Sequence, residues 1–140
     1  QLKWFWLESF PEYLSYILAE DLIGEQFLKE TLKKRVSFIE KGDFISLDKV
    51  QKESDISENY RYNLAPMLLK CFELKFGRDK MMFVIKSLLN VSRNETLTLP
   101  HFKKFAIESG INKKEYLSFE KDFIKNKNFK NKIIKTIRKL

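Results

Sequence analysis

The stretch KWFWLESFPEYLSY, residues 3 to 16, sets one carboxylate, Glu8, among Trp4, Phe5, Trp6, Leu7 and Phe10. An ionised carboxylate against apolar rings is costly unless it is neutralised or reaches water. Read locally, Glu8 precedes a capped helix and extends its charge to solvent. The other residues able to do chemistry are isolated. His101, the sole histidine, sits at the start of a helical pattern beside Lys103 and Lys104. No second ligand stands near it, so it reads as solvated rather than metal-bound. Cys71, the only cysteine, lies in the apolar run MLLKCFEL, which excludes a disulfide framework and a cysteine-rich metal site. Asp43, Asp48, Glu53 and Asp55 lack the Asp-x-Asp-x-Asp-Gly spacing of a calcium loop. With four glycines in the chain there is no phosphate-binding glycine loop, and no Ser/His/Asp or Cys/His arrangement has local support.

The elements that must position these residues read as helices. Each glycine closes an apolar-periodic segment, as Gly24 does after LAEDLI and Gly77 after FELKF. The prolines fall near segment starts, where a missing amide hydrogen costs least. Pro100 follows Thr98, a plausible cap, and Pro11 follows Ser9, which forms a Ser-x-x-Glu capping box with Glu12. Helices are expected at about 9–23, 25–40, 58–76, 78–89, 99–109, 113–126 and 128–139. A solvated connector is expected over 41–57. No strand alternation, repeat or heptad series appears, so the fold class is all-α, one helical domain of six or seven helices spanning 1–140. The 44% hydrophobic residues, thirteen of them Phe, suit a folded core. No apolar run approaches the ~20 residues that cross a bilayer. The opening lacks the basic, apolar, small-residue progression of a secretory leader, and the sequence is expected to begin inside a longer chain.

Two segments in matching order carry a resemblance. Phe5-Trp6 followed by Glu8-Ser9-Phe10-Pro11-Glu12-Tyr13 is similar to the W-L-x-E-G-F-A-x-Y segment of the gluzincin aminopeptidases, the aminopeptidase N type. YNLAPMLLKCFELKFG, Tyr62 to Gly77, resembles that family's Y-x-K-G-A helix. RDKMMFVIKSLL, TLPHFKKFAIESG and YLSFEKDFI resemble its closing helices, so the likeness runs over roughly residues 4 to 125. It implies the helical lobe of a thermolysin-like catalytic domain that releases residues from peptide N-termini. Zinc in that family is held by two histidines of an H-E-x-x-H helix and by a glutamate on a following helix. By the resemblance Glu8 is that third ligand, and Tyr62 is the tyrosine that stabilises the oxyanion. A zinc ion with three protein ligands keeps a position for water. A phenol suits the second role because a pKa of ~10 keeps it a hydrogen-bond donor at neutral pH.

The pattern also departs from the family. The H-E-x-x-H helix would precede Gln1, so these residues are expected to be inactive alone and to bind no zinc. The upstream part of the same chain is the implied partner, with a peptide as its substrate. Ser9 stands for the usual Gly, Pro11 for Ala, and Leu64-Ala65 for Lys-Gly. In a continuous helix Pro11 would clash with the Leu7 carbonyl, so the helix must start later or bend. The alternative readings are a pseudopeptidase scaffold and a non-catalytic basic interaction module. Residues 71–140 carry a net charge of +10 against −2 for 1–70, and the last sixteen residues hold seven Lys or Arg and no acid. Phe129, Ile133, Ile137 and Leu140 nevertheless recur at helical spacing, the pattern of a helix that packs on its own domain. Nucleic acid and an anionic membrane are therefore not the favoured partners.

Overall fold

The computed structural model describes residues 2–91 and 95–140. Among them are seven α-helices and no strand: α1 Phe10–Leu22, α2 Glu25–Glu40, α3 Ala65–Phe76, α4 Arg78–Val91, α5 Leu99–Glu108, α6 Lys113–Phe119 and α7 Phe129–Arg138. The all-α expectation holds, and the buried side chains form one cluster. Burial follows the helical period. In α2, Leu28, Leu32, Val36 and Ile39 face inward; in α7, Phe129, Ile133, Ile134 and Ile137 do so. α3 is the exception: every residue from Ala65 to Glu73 is buried, as befits a central helix walled by α1, α4 and α7. Gly77, at φ +97°, turns the chain from α3 into α4 and donates its N–H to the Glu73 carbonyl at 2.7 Å.

Three wide π-turns extend helices without a break: Phe5–Ser9 into α1, Tyr60–Leu64 into α3, and Glu120–Ile124 out of α6. The first corrects the expected helix start near residue 9. Ser9 lies inside the helix, fully buried, and caps nothing, while Glu12 pairs with Arg35 instead of closing a capping box. Pro11 and Pro66 each follow a π-turn by two residues. The wide turn opens the backbone ahead of each ring, and both helices run through their proline instead of starting there.

The connector over 41–57 departs from the solvated segment that its acids suggest. Leu47, Val50 and Ile56 are buried, two short 3₁₀ turns (Leu47–Lys49 and Glu53–Asp55) shape it, and the Tyr60 hydroxyl donates to the Ile45 carbonyl at 3.0 Å. Apolar anchors spaced among the acids pin the segment while its charges stay wet.

Polar groups clamp α1, α3 and α4 together. Lys70 and Glu73, both buried, meet at 2.9 Å, and the Tyr13 hydroxyl donates to the second Glu73 oxygen at 2.7 Å. Arg78 pairs with Glu20 and Asp21, and Lys70 lies 3.6 Å from Glu20. Burial of these charges is tolerated because each finds a partner. Burial, reinforced by the neighbouring Glu73 charge, pushes the Tyr13 phenol far above its ordinary pKa.

Candidate functional site

Glu8 belongs to the first π-turn and Tyr62 to the second, and the two turns pack against each other. The helix turns Phe5, Trp6 and Phe10 away from Glu8, while Trp4, four residues earlier, shares its face. Trp4, Phe5 and Phe10 are buried, and Trp6 stacks on Phe10 with centroids 4.7 Å apart. Glu8 stays 29% exposed at the rim of a cleft of about 500 Å³. Trp4 and Leu7 form the apolar wall of that cleft, and Gln51, Lys52 and Glu53 of the connector close its far side. The carboxylate is therefore not stranded among rings: sequence adjacency is not spatial adjacency on a helix.

Arg61 supplies the counter-charge. Its Nη1 lies 3.2 Å from Glu8 Oε2, and its Nη2 donates to Glu53 at 3.2 Å. Glu8 Oε2 is closed off from solvent, and the contact with Nη1 lacks hydrogen-bond geometry, so that oxygen is left without a hydrogen bond. The exposed remainder of Glu8 lines the cleft. Tyr62, 43% exposed, neighbours Glu8. The Glu8 charge is the largest influence raising the Tyr62 pKa; partial burial adds to it, and Arg61 opposes it. The phenol is a donor at neutral pH at its ordinary pKa, and the shift moves it further from ionisation. Tyr60, two positions earlier, is buried and committed to Ile45.

Glu8 and Tyr62, widely separated in sequence, are brought side by side; His101 and Cys71 take no part. His101 closes the start of α5: its Nδ1 accepts the Thr98 N–H at 3.1 Å and its Nε2 faces Glu95 at 3.3 Å. Its nitrogens are engaged, Nδ1 in the helix cap and Nε2 with Glu95, rather than left to solvent. Cys71 is buried, and burial pushes its thiol up to about 12. Among the described residues no cluster of three or more His, Cys, Asp or Glu is placed to hold a metal. What these residues offer a zinc ion is one carboxylate, partly exposed at a cleft, with a phenol donor beside it. That fits a single-ligand role and not a whole site. Arg61 and Glu53 escaped the sequence reading because their link to Glu8 is made only by packing. Comparison with protein-family models, with curated proteins and with solved structures gives no match.

Proposed function

We propose that these residues are the C-terminal helical lobe of a zinc-dependent metallopeptidase of aminopeptidase type, inactive alone. In this reading Glu8 is the third zinc ligand and Tyr62 the oxyanion donor. The observation that carries it is the meeting of Glu8, at the rim of a cleft, with Tyr62, from two π-turns packed against each other. Zinc, when bound, would polarise the scissile carbonyl and acidify a water. Glu8 would give it a carboxylate oxygen, Arg61 and Glu53 would fix the orientation of that carboxylate, and Tyr62 would donate to the carbonyl oxygen as it gains charge. The test uses the longer chain that supplies two histidines. Tyr62→Phe is expected to lower turnover of an aminoacyl-anilide by ~10²–10³ with zinc content unchanged, and Glu8→Gln to lower zinc content itself. Tight one-to-one zinc uptake by residues 1–140 alone would refute the reading.

A second reading, a pseudopeptidase scaffold, is favoured by Arg61. A guanidinium 3.2 Å from Glu8 neutralises the carboxylate with no metal required. On that reading the longer chain holds no zinc, and Glu8→Gln leaves its zinc content and its peptidase activity at zero. On the reading as a basic interaction module, the contact would fall to surface lysines, since α7 buries its apolar stripe in the core.

A further inference from the structure

The positive charge of the second half gathers where neither reading uses it. Between α5 and the α6 segment runs a groove of about 710 Å³. Its aliphatic floor is Leu99, Pro100 and Ile107; its rim is Lys103, Lys104, Lys113 and Lys125. Among the described residues the one carboxylate lining it, Glu120, is buried and already paired with Lys125 at 2.9 Å. Lys103, Lys104 and Lys113 have no ion-pair partner among the described residues; Lys104 lies over the buried Phe105 ring, 5.5 Å from its centroid. Past Glu120 and Lys125 a second depression continues the track, with Leu117 as its apolar contact and Lys121 and Lys127 as its cations.

We propose that this groove docks an acidic amphipathic peptide segment of a partner protein, its apolar side chains on Leu99, Pro100 and Ile107 and its carboxylates on the lysine rim. The charge is complementary to acid and to nothing basic, and unpaired lysines around an apolar floor match a ligand that alternates acidic and apolar faces. Nucleic acid fits less well. Single strands need aromatic platforms, and among the described residues this groove presents neither an aromatic ring nor an arginine. A bilayer surface cannot follow a concave floor. The surface lies on helices other than those carrying Glu8 and Tyr62, so the inference does not depend on the zinc reading.

The test is fluorescence anisotropy with the 140-residue chain and a labelled helical peptide bearing Glu on one face and Leu on the other. Binding is expected, weakened about tenfold or more by Lys103→Glu/Lys104→Glu, where like charges then face each other. It should also weaken with the single exposed change Lys113→Glu, and with a peptide of equal charge whose Leu are replaced by Ser. Lys135→Glu/Lys139→Glu, in α7 and at its C-terminal cap, an equal charge change elsewhere, should leave it unchanged. Circular dichroism checks that each variant folds. Absence of peptide binding, equal binding by the Ser peptide, equal loss from the α7 variant, or stronger binding to a DNA duplex or to phosphatidylserine vesicles would each overturn the proposal.

Discussion

The hydroxyl of Ser9 donates a 2.8 Å hydrogen bond to the backbone carbonyl of Arg61 on the facing helix. That carbonyl has lost its helical partner. In the wide register the Ala65 N–H reaches back to Tyr60, and the next amide in line, at residue 66, is a proline with no hydrogen to give. Ser9 therefore repairs a vacancy that Pro66 creates, and in doing so ties the turn bearing Glu8 to the turn bearing Tyr62. Ser9→Ala leaves a partly buried carbonyl unsatisfied and is expected to cost about 1–3 kcal/mol in urea unfolding. Pro66→Ala restores an N–H at that position, so the double variant should lose less than the two single losses added together. Strict additivity would mean that the serine and the proline are unrelated.

The Glu8 carboxylate raises the Tyr62 phenol above its ordinary pKa, and the Arg61 guanidinium pulls the other way. Glu8→Gln removes the negative charge that disfavours tyrosinate, so the Tyr62 pKa is expected to fall toward the ordinary value of ~10. Arg61→Ala is expected to raise it. Carbon-13 NMR of the labelled Tyr62 ring reads both, and shifts in the reverse directions would separate Tyr62 from Glu8.

The helices were legible because glycine and proline punctuate them and because apolar residues recur every three or four positions, as Leu28, Leu32, Val36 and Ile39 do. Where the reading failed, one local signal had two physical meanings. Pro11 marks a helix start when its missing N–H lies at an open end, but equally tolerates a helix interior behind a π-turn, and nothing in Phe5–Ser9 announces that turn. Ser9-x-x-Glu12 matched a capping box by spacing alone; the partners of those side chains, Arg61 and Arg35, come from other helices. Glu8 was found because a carboxylate among rings stands out, and Tyr62 because a segment resembled a known one. Arg61 and Glu53 carry no comparable mark: a charged residue in a polar stretch looks like solvated surface until packing gives it a partner.

The Lys70–Glu73 pair is buried and shared with Tyr13, so removing one partner should hurt more than removing both. Glu73→Ala leaves the Lys70 ammonium buried, with Glu20 3.6 Å away as its remaining carboxylate. It is expected to cost about 3–5 kcal/mol. Lys70→Met/Glu73→Met, which replaces the pair with apolar side chains, should cost less than Glu73→Ala. Thermal and urea unfolding measure this; a double variant less stable than Glu73→Ala would show that the pair contributes net stability beyond its mutual neutralisation.

The Cys71 thiol is pushed by burial from 9.0 up to about 12, the Thr136 side chain and the Lys70 charge opposing weakly. In the folded chain it stays protonated where the unfolded chain already releases its proton. Below pH 9 both states hold the proton, and the thiol adds no pH dependence. Between pH 9 and 12 the native state binds more protons than the unfolded state, so stability must fall as pH rises. Cys71→Ala, which removes the titrating group, is expected to flatten the pH dependence of urea unfolding across that window, although it lowers stability throughout by leaving a small cavity. The same burial shields the sulfur from a disulfide reagent at pH 8, so labelling should track unfolding. Rapid labelling of the native chain, or a Cys71→Ala profile as steep as the parent's, would show that the thiol is neither buried nor protonated as described.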